Sequence, residues 1–373
     1  MTTTPLATPD LQGNEAAYVM EAIQSTWISS TGKFVDRFEH EFAALCGTRT
    51  ALSVSNGTVA LHLALLGLDV RPGDEILVPS LTYVATANAV RYMGAEPVFI
   101  DVDPKTWCMD PALIEAAITR RTKGIIAVHL YGHPADMDAI NHLAAVHGLW
   151  VVEDAAEAHL ARYKGRPVGS LAAIGTFSFY ANKIFTSGEG GAVTVNDQQL
   201  AVRLRTLRGQ GMDPARRYFF PITGYNFRLT NVACAFLCAQ FERREQLIAR
   251  RREIFALYRE LLAGVPGLGF QQQADWAECA PWLFCALVDA TEFGMSRDAL
   301  LTGLAGQGID TRPFFIPLHT LPPFREGSRQ RGEHLPWTEK LGATGINLPT
   351  YTTMTDDDVR RVARAIVELA RAR

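Results

Sequence analysis

The sequence predicts an α/β protein in which a mainly parallel sheet is covered by helices on both faces, with a smaller α+β region behind it. Three observations carry this reading. Short apolar runs of strand length alternate with helix-length runs from residue 50 to residue 155. Two further strand-like runs, TFSFY (176–180) and GAVTV (191–195), bracket a single lysine, Lys183. Past residue 245 a long helical pattern with few strands takes over, so the chain divides into residues 1–245 and 246–373.

The elements follow in order. Residues 12–26 read as a helix, TWISSTGKF (26–34) breaks it, and 35–46 is helical again. Within the break, Trp27, Ser29 and Ser30 are either the polar lip of a pocket or a plain connection, and the residues by themselves favour the connection. ALSVS (51–55) is a strand, and NGTVALHLALLGL (56–68) is a helix capped by Asn56. After the turn PGDE come the strand ILVPS (76–80) and a helix over 82–94 that ends in glycine. PVFIDVD (97–103), GIIAVHL (124–130) and LWVVEDA (149–155) are strands, separated by helices over 112–118 and 135–148. QQLAVRLRTLR (198–208) is helical, and 209–228 is a turn-rich loop too long to be an idle connector. A continuous helical pattern runs from Leu229 to Leu262. PWLFCALVD (281–289) is then a strand, and 296–308 and 356–372 are helices.

Composition narrows the function. With 36 Lys+Arg against 39 Asp+Glu, the net charge of −3 gives no electrostatic case for nucleic acid. The arginines of 243–252 alternate with glutamates at helical spacing, as on a solvated helix face. The 6 cysteines form no CxxC pair, and no histidines stand near them at zinc spacing, so no metal site is expected. Reduced thiols, no signal-like N-terminus and no apolar run of membrane-spanning length point to a cytoplasmic protein.

The chemistry centres on Lys183. Aromatic and small residues precede it, and three glycines follow within eight positions, a buried and tightly turned setting. A desolvated lysine has a lowered pKa, and its free amine attacks carbonyls. A Schiff base with pyridoxal 5'-phosphate is the leading hypothesis, given a carboxylate for the ring nitrogen and a phosphate cradle. Asp154 ends an apolar strand, where α/β sheets place ligand groups, although such an aspartate equally caps the next segment. Glu157 and His159 follow on the same turn, within reach of the ring. Asn56, Gly57 and Thr58 lie at a strand-to-helix junction whose N–H groups favour a phosphate, although the same residues serve as an ordinary N-cap. Ser178 adds a hydroxyl. Tyr83 either stacks on the ring or packs in the core.

Many motifs in one order make the resemblance specific. SNGTVALHLAL (55–65), PGDEILVPSLTYVATANAV (72–90), PVFIDVDP (97–104), VHLYGHPADMDAI (128–140), VVEDAAEA (151–158), TFSFYANKIFTSGEGG (176–191), GYNFRLTN (224–231) and GIDTRPFFIPLH (308–319) resemble the DegT/DnrJ/EryC1/StrS family of pyridoxal-phosphate-dependent sugar aminotransferases. The resemblance implies a fold type I architecture, aspartate aminotransferase-like, with a mainly parallel seven-stranded sheet. It also implies the cofactor pyridoxal 5'-phosphate, carried on Lys183. Asp154 would bind the pyridine nitrogen, Glu157 would lie near the ring hydroxyl, and Tyr83 would cover the ring. Gly57, Thr58 and Ser178 would hold the phosphate. Asn226 would reach the cofactor of a partner subunit, making a homodimer with shared sites the functional unit. Trp27, Ser29, Arg228, Arg312 and His319 would line the sugar-nucleotide site, with glutamate as amino donor.

The runs 26–34 and 207–228 are similar to those of the branch that aminates GDP-4-keto-6-deoxymannose at C4. The alternative is a dTDP- or UDP-linked 3- or 4-keto sugar. The chain departs from the family pattern at Ala172-Ala173, where Gly-Asp is common, and at Leu160, where glycine is usual. Three rivals fit less well. The family's sugar dehydratases carry histidine at the position of Lys183. A nicotinamide oxidoreductase would show GxGxxG after the first strand. A cofactor-binding regulator would carry a separate DNA-binding module.

Overall fold

The computed structural model describes residues 3–213 and 215–371, so the last residue of the expected helix 356–372 lies outside the described residues. The strands of the first two-thirds of the chain are β1 (Thr50–Val54), β2 (Glu75–Pro79), β3 (Glu96–Ile100), β4 (Thr122–Val128), β5 (Trp150–Asp154), β6 (Arg162–Tyr163), β7 (Arg166–Pro167), β8 (Ile174–Ser178) and β9 (Gly191–Val195). Seven of them form one sheet in the order β1-β9-β8-β5-β4-β2-β3. The strands from β3 across to β8 run parallel, and β9 is antiparallel to both β8 and β1. β9 can turn back directly because the Lys183 loop joins it to β8 without a crossover.

β2, β8 and β9 are buried at every residue, as strands covered on both faces must be. The helices doing the covering are α1 (Glu15–Gln24), α2 (Lys33–Leu45), α3 (Gly57–Gly67), α4 (Ala85–Tyr92), the short α5 (Ile114–Ala117), α6 (Met137–His147), α7 (Gln198–Arg208) and α8 (Asn231–Glu242). Phe38, Phe42, Phe177, Phe179 and Phe241 centre one core cluster, with ring centroids 4.8–6.2 Å apart. Leu61, Leu65, Val78, Val90, Val193 and Leu204 belong to a second cluster, in which α3, α4 and α7 bury their apolar faces.

The remaining elements are α9 (Arg244–Leu262), β10 (Leu268–Gly269), β11 (Ala277–Glu278), β12 (Phe284–Val288), α10 (Ala290–Phe293), α11 (Arg297–Gly306), β13 (Arg312–Pro313), α12 (Pro322–Arg331), α13 (Pro336–Thr344), β14 (Gly345–Leu348) and α14 (Asp356–Arg371). β10-β12-β14-β13 make an antiparallel sheet, and β11-β6-β7 make a small three-stranded one. Ile254, Tyr258, Phe284, Leu304, Val362 and Ile366 form a third core cluster, shared by α9, α11, α14 and the antiparallel sheet. Residues 245 and 246, where the sequence reading divides the chain, lie in the first turn of α9.

Three elements differ from expectation. The helical pattern of 229–262 is two helices, broken at Arg243 (φ −100°, ψ 8°), whose guanidinium turns aside to pair with Asp10 at 2.9 Å. The helix expected over 82–94 starts only at Ala85, and that over 112–118 is a 3-10 turn followed by α5. Residues 309–355, where the sequence reading names no element, hold β13, α12, α13 and β14. α12 and α13 each open on a proline, which pre-sets the first helical turn.

The sheet's close approach to α3 rests on glycine. A Cβ on Gly191 would meet the carbonyl carbon and oxygen of Asn56 at 2.5 Å, backbone that cannot step aside. Gly191→Ala is expected to destabilise the protein by about 1–3 kcal/mol, as overpacking of a filled core does. A lowered denaturant midpoint would show it, and an unchanged midpoint would mean that β1 and β9 tolerate separation.

Candidate active site

The parallel register puts the C-terminal ends of β4, β5 and β8 level, with Val128 opposite Asp154 and Asp154 opposite Thr176. Chain groups that leave the sheet therefore meet at one edge, as in other open α/β sheets. Lys183 reaches that edge from the β8–β9 loop, its N–H held by Tyr180 O at 2.9 Å. Its side chain is 12 % exposed, with Nζ 4.0 Å from Glu157 Oε1 and 3.9 Å from the ring centroid of Trp282. Burial pulls the Lys183 pKa below its ordinary value, against the pull of Glu157 and Asp154.

The two carboxylates are fixed by donors. Asp154 Oδ2 accepts from Thr86 Oγ1 at 2.8 Å, and Oδ1 accepts from the Ala156 N–H at 3.3 Å. Glu157 Oε2 accepts the Tyr131 N–H at 2.7 Å. Tyr131 holds that N–H in place from the left-handed region (φ 51°, ψ 31°), which costs a non-glycine residue on the order of 1–2 kcal/mol. Burial raises both carboxylate pKa values, that of Glu157 to about 7. A buried carboxylate such as Asp154 gains most from a cationic N–H partner, which would offset its desolvation.

On the other side, Asn56 caps α3 by accepting from Val59 N at 2.9 Å and Ala60 N at 3.0 Å. A Cβ on Gly57 would meet the Ser178 Cβ at 2.7 Å, so glycine there lets the start of α3 and the Ser178 hydroxyl share one small space. Helix N–H groups and a hydroxyl around such a space suit a phosphate. The buried carboxylate, the amine and this cradle thus fit pyridoxal phosphate. Asp154 would hold its ring nitrogen, Lys183 its aldehyde carbon, and Gly57, Thr58 and Ser178 its phosphate.

The other sequence-predicted residues are more dispersed. Tyr83 is 59 % exposed and tilts against Phe315 at 5.9 Å. Trp27, at 58 %, and Ser29 are exposed and Ser30 is half-buried. The Trp27 and Ser29 carbonyls accept from Asn231. The Asn226 side chain is exposed and accepts from Arg228 at 3.1 Å. The segment carrying both residues lies beside β1, through a Val54–Arg228 bridge and a Ser55 N–H to Phe227 O bond. Arg312 is exposed and pairs with Asp310 two residues away, rather than with another element. His319 is buried and fully engaged: Nδ1 lies 2.8 Å from Ser80 Oγ and Nε2 lies 3.1 Å from Glu339 Oε1.

His159, expected near the cofactor ring, packs among aromatic rings behind the lysine loop. It stacks on Phe179 at 5.1 Å and 6°, and burial, with the Lys183 charge adding to it, pushes its pKa down to about 3. Leu160 has φ 62°, which explains why glycine suits the position. At Ala172-Ala173 the turn is tied by backbone, since Leu171 and Ala172 donate N–H bonds to Glu153 Oε1 at 2.7 and 3.1 Å. Sequence reasoning also missed Thr86, Tyr131, Trp282 and Asn231. Thr86 had a weak signal, lying one helical turn after Thr82 in TYVATANAV. Trp282 had none, since 99 residues separate it from Lys183.

A DegT/DnrJ/EryC1/StrS aminotransferase family model matches residues 9–367, and the chain belongs to that family. It is an aminotransferase of fold type I. GDP-perosamine synthase of Caulobacter vibrioides is 45% identical over 362 residues, 97% of this chain and 96% of that one. The crystal structure of S. venezuelae DesV in complex with a ketimine intermediate superposes with a TM-score of 0.92 at 37% identity, covering 99% of both chains. The PLP-form of the putative sugar aminotransferase Spr1654 from Streptococcus pneumoniae has a TM-score of 0.90 at 27% identity, again over 99% of both. Family and neighbours together imply pyridoxal phosphate as the cofactor.

Because burial raises the Glu157 pKa from 4.5 to about 7, the folded protein keeps a proton there that the unfolded chain releases. Over that pH window the cofactor-free protein should lose stability as pH rises. Glu157→Gln, which can still accept the Tyr131 N–H, should flatten the slope by on the order of 1–3 kcal/mol across the window. Chemical denaturation at stepped pH checks this, and a variant with the parental slope would contradict it.

Proposed function

We propose that this chain transfers the amino group of glutamate to GDP-4-keto-6-deoxymannose at C4, giving GDP-perosamine. The observation that carries the chemistry is the buried Lys183 amine beside Glu157 and near Asp154. Full-length similarity to a GDP-perosamine synthase supports the GDP-linked substrate.

Pyridoxal phosphate, when bound, supplies an electron sink that stabilises the negative charge left when a proton leaves the amino donor's Cα. Asp154, its carboxylate oriented by Thr86 and Ala156, keeps the ring nitrogen protonated. Lys183 Nζ would take the proton from the donor Cα as general base and then act as general acid, the two roles reversing with the keto sugar. Glu157, its pKa raised by burial to about 7, would lie near the ring hydroxyl. Gly57, Thr58 and Ser178 fix the phosphate, and Tyr83 covers the ring. Because one amino group visits the enzyme between two substrates, the kinetics are ping-pong.

The sugar nucleotide needs fixed cations for its diphosphate. Arg228, whose buried Nε has no partner among the described residues, and the exposed Arg312 supply guanidinium groups for it. Trp27, Ser29, Ser30 and His319, the last oriented by Ser80 and Glu339, would line that side of the site. The functional unit is a homodimer in which Asn226 of one chain reaches the cofactor phosphate of the other. Exposed Trp27, Ile28, Tyr180, Tyr218 and Phe220 supply apolar surface for such a contact. Its setting is cytoplasmic, in keeping with six free cysteines.

Lys183→Ala should fold and bind cofactor non-covalently yet lose at least about a thousandfold in turnover, the general acid and base being gone. Measurable steady-state transamination without an added amine would contradict the assignment. The substrate is tested by supplying glutamate with GDP-, dTDP- and UDP-linked 4-keto-6-deoxy sugars and following the amino sugar by mass spectrometry. The GDP-linked sugar should react fastest. Faster amination of a dTDP- or UDP-linked sugar would overturn the substrate and leave the reaction class standing.

A further inference from the structure

Trp282 faces the Lys183 amine with its ring, and it grips the lysine's own backbone as well. The ring centroid stands 3.9 Å from Nζ, and the indole Nε1–H donates to Asn182 O, the carbonyl immediately before Lys183, at 2.8 Å. One rigid side chain therefore touches both ends of the lysine, its tip through the π-face and its peptide through the N–H.

The indole has its own supports. Trp282 is 3 % exposed. Its carbonyl accepts from Arg251 Nη1 at 2.8 Å, and its ring stacks on Tyr131 at 6.0 Å and 20°. Tyr131 is the same residue whose N–H fixes Glu157, so amine and carboxylate are referenced to one aromatic pair. Arg251 is buried on α9, with a carbonyl of the segment after β14, Thr350 O, as a second acceptor at 3.3 Å. The charged and titratable groups around the amine are thus Glu157, Asp154, His129 beside Asp154, His159 behind the β8–β9 loop, and Arg251 behind Trp282.

We propose that Trp282 is a positioning residue for the known reaction. Its indole face is the resting place of the Lys183 amine whenever that amine is not bonded to the cofactor, and its N–H sets the height of the lysine loop. The ring face packs against the freed amine, and attracts it by cation–π whenever it carries a proton, so that it stays in the site instead of swinging out to water. The N–H bond holds the Asn182 peptide so that the lysine stem projects inward. This inference rests on the pyridoxal-phosphate reading of Lys183.

The test follows the reaction of Lys183 with pyridoxal 5'-phosphate in the cofactor-free protein. The amine adds to the aldehyde, a C=N bond forms, and the aldehyde oxygen leaves as water with no redox change. The yellow absorption of the product gives the rate, and borohydride trapping gives the residue. Trp282→Leu, which loses both contacts, should form the bond about tenfold more slowly, and Trp282→Phe, which keeps a ring face but lacks the N–H, about threefold more slowly. In a Lys183→Ala background the same substitutions should leave the dissociation constant of non-covalently bound cofactor within about twofold. Bond formation at the parental rate in both variants would overturn the proposal. So would equal weakening of cofactor binding with and without Lys183, which would make Trp282 a plain pocket wall. If Trp282→Leu does not fold, the Phe variant decides alone by the same two readings. Failure of the parental protein to form the bond would instead count against the Lys183 reading itself.

Discussion

A lysine amine held out of water between carboxylates and an indole face is the interaction on which the rest of the site depends. Burying an ammonium costs several kcal/mol in effective terms, and here Glu157, Asp154 and the Trp282 ring offset part of that cost. The consequence is an amine biased toward its neutral, nucleophilic form. The same burial raises the two carboxylates, so all three groups titrate away from their solution values. Such opposed shifts within a few ångströms mark places where protons are moved.

The fold delivers this arrangement by register rather than by any one loop. Parallel strands bring Asp154 and Ser178 to a common edge, and the antiparallel return of β9 places Lys183 over it. Close contact between α3 and the sheet then depends on Gly57 and Gly191, where a methyl group would strike Ser178 or the Asn56 carbonyl. Sheet, cradle and lysine loop are mechanically one unit. The antiparallel region contributes through α9 and the Trp282 segment, which close the far side of the amine.

Much of this was legible in the sequence. The strand–helix alternation, the cap at Asn56, and the strands around Lys183 follow from short-range signals of turn chemistry and periodicity, and all appear in the structure. The missed features are those that only long-range packing decides. The helical pattern breaks at Arg243, whose guanidinium pairs with Asp10 from the start of the chain. His159 reads as a site residue by its nearness to Asp154, yet the aromatic core claims its ring. Arg312, expected to line the sugar-nucleotide site, is exposed and paired to its near neighbour Asp310. Thr86 and Trp282 touch the two central groups from elsewhere in the chain, and of the two only Thr86, four residues after Thr82, carries even a weak local signal.

The function of the site rests on Lys183 being the residue that bonds the cofactor. The direct measurement is borohydride reduction of the pyridoxal-phosphate-loaded protein, followed by proteolysis and peptide mass spectrometry. The account predicts one stoichiometric phosphopyridoxyl group, on the peptide carrying Asn182-Lys183-Ile184. A phosphopyridoxyl group on another lysine, or no stable label at all, would contradict it.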